Sequence, residues 1–260
     1  MRHERASRAP LARLRRADWL MLALTALLLG ALALGVCRDP ENLPGLRPHG
    51  PPPADDRFLT LPPGTTLPDG EDCAGRVRRT RWEPRPRNRE ANQTTGISGV
   101  RIDGASETLN RRLGPRIDGA FTGATDEIIQ WASCKWGFDE NVVRAVATEE
   151  SHWRQAATGD DGESFGLLQV KRTVHDGTFP TAKESTAFNL DYALAWRRAC
   201  YEGDFTWLND PPQRGGYQRG DEWGCIGAWF SGDWYNQGAL AYIARITSHL
   251  AAQPWLQRGF

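Results

Sequence analysis

At 260 residues the chain has room for one or two domains. Forty per cent of its residues are hydrophobic and 25% are charged, the balance of an ordinary globular protein. Thirty-two basic residues offset 32 acidic ones, so the chain lacks the basic excess of a nucleic-acid binder, and no nucleic-acid partner is expected.

The charge is unevenly placed. Residues 1–18 carry Arg2, Arg5, Arg8, Arg13, Arg15 and Arg16 against Glu4 and Asp18, a basic segment expected in the cytoplasm. Residues 19–37, Trp19 to Cys37, contain no charge. Such a run is long enough to cross a bilayer as a helix, and arginines before it orient the remainder of the chain outward. A single-pass signal anchor in the cytoplasmic (inner) membrane is the expectation. A cleaved signal peptide and a lipoprotein signal ending at Cys37 are the alternatives.

Residues 40–86 hold 11 of the 17 prolines. Residues 38–120 therefore read as a Pro/Arg-rich linker and extension, whose later part, about 57–99, has apolar residues and Cys73 and can pack along a domain. Arg101-Ile102-Asp103-Gly104-Ala105 recurs as Arg116-Ile117-Asp118-Gly119-Ala120, which reads as two similar turns.

From about 121 the texture is helical, and residues 121–260 are expected to form one compact domain. Thr125 is placed to cap a helix that Gly137 ends. Asp139 caps the next, running to about His152. A long helix spans about 185–202 and stops at Gly203. A last helix, 238–251, carries Leu240, Ile243, Ile246, Thr247 and Leu250 at helical spacing. Residues 158–165 and 208–221 are loops by composition. The fold class is mainly α.

Four cysteines lie beyond the apolar run: Cys73, Cys134, Cys200 and Cys225. An oxidising compartment would pair them, in one of three ways. Cys73–Cys134 with Cys200–Cys225 is the choice that keeps partners in neighbouring segments. There is no CxxC or His/Cys cluster, and Asp160-Asp161 lacks EF-hand spacing, so neither metal nor cofactor is expected.

On the helix from Asp139, Val142, Val143, Val146, Ala147 and Trp153 share one side, with Arg144, Thr148 and Ser151 opposite. Glu150 falls about 30° from the centre of the apolar side. A carboxyl so placed is desolvated, which keeps it protonated and able to donate to a leaving oxygen.

Glu150-Ser151-His152 at a helix end, followed by Gly166-Leu167-Leu168-Gln169-Val170, resembles the lytic transglycosylase pattern of Glu-Ser and then Gly-Leu-Met-Gln. The run from Gly159 through Asp160, Ser164 and Gly166 to Val170 is similar to a segment of goose-type lysozymes. Gly224-Cys225-Ile226-Gly227-Ala228-Trp229-Phe230-Ser231-Gly232 sits where the superfamily has Ala-Tyr-Asn-Ala-Gly. The resemblance covers roughly 124–257. It implies a lysozyme-like domain of the α+β superfamily that acts on the glycan strands of peptidoglycan, with Glu150 as general acid/base. Ser151 would orient the site. Asp160, Ser164, Gly166, Leu168, Gln169, Trp229, Tyr235 and Tyr242 would line or support the sugar cleft, with Gln169 bonding near the sugar or the glutamate.

Two departures bear on mechanism. The position after Val170, acidic in goose-type lysozymes, is Lys171. The Tyr-Asn pair is Trp229-Phe230, so the hydroxyl that contacts the glutamate must come from elsewhere, from Tyr235 or Tyr242. Loss of a second acid tilts the reading away from hydrolysis, and the resemblance then implies a one-glutamate transglycosylation giving 1,6-anhydro ends. A non-catalytic glycan-binding protein, or an enzyme serving an envelope machine through a partner, are the other readings. Nine of the eleven tryptophans lie between 131 and 260, and Trp153, Trp229 and Trp234 are expected to flank the site, with at least half of the nine in the core.

Overall fold

The computed structural model describes residues 57–260, which lie within one compact unit, Arg47–Phe260. The α-helices described are α1 (Gly70–Arg76), α2 (Glu107–Leu113), α3 (Thr125–Trp136), α4 (Glu140–Ser151), α5 (Thr181–Glu184), α6 (Thr186–Tyr201), α7 (Glu222–Ser231) and α8 (Gln237–Ala252). A small antiparallel sheet in the order β1 (Thr158–Gly159), β2 (Ser164–Phe165), β3 (Val170–Lys171) lies between α4 and α5 in the chain. The fold is mainly helical. Among the described residues no helix is long and apolar enough to cross a membrane. The expected basic segment and span at 1–18 and 19–37 lie outside the described residues, as does residue 37.

The helix boundaries follow from their caps. Asp139 accepts the backbone N–H groups of Asn141 and Val142, and Gly137 closes α3 in the left-handed conformation. Ser185 caps α6 through the N–H of Phe188, which separates it from the short α5. Thr125 is not the cap expected of it. The helix begins at Thr125 itself, Glu127 accepts the Ala124 N–H, and the Thr125 hydroxyl meets Glu83.

Helices α3 and α6 are buried over every residue, which makes them the centre of the unit. They pack on each other; α8 packs against both α4 and α7. The wheel of α4 divides less simply than its composition implied. Arg144 and Thr148, on the polar side, are as buried as the valines. The guanidinium of Arg144 is neutralised by Asp126 at 2.8 Å and Glu140 at 3.3 Å, so a charged face meets another charged face inside the core. On α8 the buried residues are Ala239, Tyr242 and Ile246, while Leu240 is 52% exposed, so the core stripe is turned away from the one its leucines outlined.

The segment before α3 is integral to the unit. Phe58, Cys73, Val77, Ile102 and Ile117 are all core residues. Leu61 N–H donates to the Gly137 carbonyl, and Arg198 donates to the carbonyls of Leu61 and Pro62. The change of texture at 121 marks where helices lengthen, and the described part of the 38–120 extension is not a separate linker. Among the described residues two disulfides form: Cys73–Cys134, joining α1 to α3, and Cys200–Cys225, joining α6 to α7. This is the pairing of neighbouring segments.

Candidate active site

Helix α4 ends at Ser151, and His152 and Trp153 both take positive φ, of 52° and 61°. This sharp exit leaves Glu150 on the last turn, half-buried and facing a cleft of about 510 Å³. Glu150, Asp160, Ser164, Gln169, Lys171, His175, Trp196, Trp207, Trp229, Phe230 and Asp103 contribute to its walls. Asp160, Asp161 and Gln169 also have positive φ, so backbone strain clusters around this cleft.

The turn Gly166–Gln169, whose Gln169 lines the cleft, is held by buried amides. Asn189 on α6 accepts the Leu168 N–H at 2.8 Å and donates to the carbonyls of Phe165 and Ala182. Gln155 accepts the Leu167 N–H. Gly166 has φ +81°, and a Cβ there would stand 2.2 Å from the Asn189 amide nitrogen, so only glycine fits. Ser151 ties the turn to α4 by donating to the Leu167 carbonyl at 2.9 Å. Trp229 closes the other side, donating from Nε1 to the Leu168 carbonyl at 3.1 Å.

Tyr242, from the buried face of α8, donates its hydroxyl to Glu150 Oε1. Of the two tyrosines expected to supply this hydroxyl, Tyr242 does so. Tyr235 instead donates to both oxygens of Asp221, at 2.8 and 2.9 Å, and does not line the cleft. Gly166 and Leu168, expected in the cleft wall, are buried and do not line it. Gln169 lines the cleft, but its amide donates to the Gly166 carbonyl at 2.8 Å and not to the glutamate. Trp153 and Trp234 are core residues and do not flank the cleft.

Burial pushes the Glu150 carboxyl up to about 8. The Tyr242 hydrogen bond and the Arg197 charge oppose this, while Glu149 and Asp160 add to it. Glu149 itself is held away by Arg245 and by His249 at 3.1 Å, both on α8. Asp160 behaves oppositely: Ser164 donates to it at 2.7 Å and Lys171 pairs with it at 3.1 Å, which holds its carboxyl below the ordinary range. Of these two cleft carboxyls, Glu150 keeps its proton near neutrality and Asp160 does not.

Several wall residues carry no local sequence signal. His175 stacks on Trp229 at 4.8 Å, its ring nitrogen 3.1 Å from the Tyr192 hydroxyl, and burial lowers it to about 4, so it is neutral at pH 7. Trp196 packs edge-on against Trp229. Phe230, half exposed, stacks on Tyr242 at 4.6 Å. Asp103, from the first of the two repeated turns, faces the same cleft, and burial raises its carboxyl. Among the described residues no group of His, Cys, Asp and Glu side chains is arranged to hold a metal ion. Comparison of the chain with protein-family models, curated proteins and solved structures finds no match.

Proposed function

We propose that this protein is a lytic transglycosylase with a lysozyme-like fold that cleaves the β-1,4 bond between N-acetylmuramic acid and N-acetylglucosamine in peptidoglycan. The observation that carries the reading is Glu150: a carboxyl kept protonated near neutrality by burial, bonded by Tyr242, and opening onto an aromatic-lined cleft. A glycan strand has apolar sugar faces that suit rings such as Trp229 and Phe230.

In this mechanism Glu150 gives its proton to the glycosidic oxygen as the bond to C1 breaks. The acetamido group of the muramic acid supports the cationic C1. Glu150, now a carboxylate, takes the proton from the 6-hydroxyl of the same sugar, and that oxygen bonds to C1. Atoms balance without water, and Glu150 ends protonated again. Asp160, bound to Lys171 and Ser164, is not needed. The setting would be the periplasm or cell-wall space of a bacterium, with residues 19–37 as a membrane anchor, and the two disulfides suit such a compartment.

One observation favours a second reading, hydrolysis. Asp103 brings another carboxylate to the cleft and would activate water there. The first test is release of soluble fragments from purified sacculi by the full chain. Release by wild type and none by Glu150→Gln supports the proposal. Equal release by both refutes Glu150 as catalyst, and binding to sacculi without release by wild type points to a glycan-binding protein.

A further inference from the structure

The end of α4 borders a second cavity, of about 360 Å³, with Arg85, Arg154, Arg258, His152 and His249 in its walls. It shares no lining residue with the cleft. Thr148 lines it, and Glu150 lines the cleft; on a helix these two positions point about 160° apart. The two cavities therefore face different sides of α4.

The second cavity is basic. Among the described residues no Asp or Glu side chain lines it, and no ion pair involves Arg85, Arg154 or Arg258. The neighbouring acids are engaged elsewhere. Glu83 accepts the N–H groups of Arg85 and Thr125 and the Asn92 amide, each at 2.8 Å. Glu149 is bound by Arg245 and His249. Arg85 also belongs to a wider bias, since residues 76–89 contain seven arginines against the single acid Glu83. Such a field draws anions toward this side of the molecule.

Like charges collect only where contacts hold them. Arg85 is held by three. Its Nε donates to the His152 carbonyl at 2.6 Å, its Nη1 donates to the Pro84 carbonyl at 3.1 Å, and its guanidinium lies over the Phe260 ring at 4.3 Å. Its Nη2 has no partner among the described residues. The carbonyls ending α4, which would repel an anion, are occupied: the His152 and Trp153 N–H groups donate to Thr148 and Ala147, and Arg85 covers the carbonyl of His152. A carboxylate has two oxygens and matches one guanidinium. Three arginines around one cavity suit a group with more acceptor oxygens and more charge, which is a phosphate. The volume is that of a small-ligand site, with room for a sugar or polyol attached to the phosphate.

We propose that this cavity binds the phosphate group of a phosphoester, with Arg85 as the fixed donor and Arg154 and Arg258 as the two exposed arginines that close on it. The site does not rest on the reading of Glu150, and it stands whether or not the protein cuts glycans.

The chain has five histidines, and two of them line the cavity, so NMR of the histidine rings reads it directly. The His152 and His249 signals are assigned by their loss in His152→Asn and His249→Asn. The full chain is titrated at constant pH and ionic strength with glycerol 3-phosphate, with glycerophosphoglycerol and with acetate. Saturable shifts of both rings are expected with a phosphoester, at affinities about tenfold or more above acetate. Arg154→Gln combined with Arg258→Gln is expected to weaken that binding about tenfold, while Arg111→Gln, on α2, leaves it unchanged. Tighter binding of glycerol 3-phosphate supports the proposal with a sugar or polyol phosphate as the source. Tighter binding of glycerophosphoglycerol supports it with a lipid headgroup as the source. If the double variant does not fold, Arg258→Gln alone must weaken binding. No saturable shift with either phosphoester, acetate bound as tightly, or undiminished binding in the folded variant overturns it.

Discussion

The Tyr242 hydroxyl donates to Glu150 Oε1 across the packed faces of α8 and α4. This bond does two things. It fixes the carboxyl toward the cleft, and it lowers a proton affinity that burial alone would raise further. Tyr242→Phe is therefore expected to cut kcat by roughly 10–100-fold, since it misplaces the acid and leaves its anion unsupported. It should also move the alkaline limb of the kcat/KM profile upward from its wild-type position near pH 8. A pH–rate series on both proteins checks the two effects together.

Glu150 also bears on stability. Its folded value, about 8, lies above that of an unfolded glutamate, so between roughly pH 4.5 and 8 the native state holds the extra proton. Stability from this group is then highest at low pH and falls as pH rises through that window. Glu150→Gln removes the titration while keeping an acceptor for Tyr242. The variant is expected to be more stable than wild type by roughly 2 kcal/mol at pH 8, with the gap closing toward pH 5. Urea denaturation at several pH values measures it.

Lys171 holds Asp160 by charge at 3.1 Å. Lys171→Ala should free that carboxylate to polarise water in the cleft. The expected outcome is a rise in reducing ends among the products at the expense of anhydro ends, read by mass spectrometry. An unchanged ratio would mean that Asp160 lies outside the reach of the reacting sugar.

The disulfides anchor the segment before α3 and the joint between α6 and α7. Cys73–Cys134 spans 61 residues and Cys200–Cys225 spans 25. Replacing either pair with serine is expected to cost about 3–4 kcal/mol by the loop-closure argument, seen as a lowered melting temperature. Neither pair touches the cleft, so activity per folded molecule should persist.

Helix ends were readable from the chain because a cap is a local event. Asp139, Gly137 and Gly203 each carry their signal in one or two residues. The desolvated placement of Glu150 was readable too, since it sits on an apolar side near a helix end. What surrounds it was less so. Choosing Tyr242 over Tyr235 requires knowing which face of α8 meets α4, and Leu240 misleads there by being apolar and exposed. Asp103, His175 and Trp207 reach the cleft from loops far apart in the chain, where no periodicity marks them. Asn189 and Gln155 look like ordinary polar residues until the turn they hold is placed beside them. Arg144 made one face of α4 look solvent-exposed because its two partners, Asp126 and Glu140, neutralise it only once the core is closed.

The central claim is cleavage by one glutamate without water. The measurement that tests it most directly is digestion of purified sacculi by the full chain in water enriched in the heavy oxygen isotope, with products weighed by mass spectrometry. The account predicts 1,6-anhydro-muramyl ends carrying no heavy oxygen, formed by wild type and absent with Glu150→Gln. Reducing ends that carry the heavy isotope would contradict it and make the protein a hydrolase.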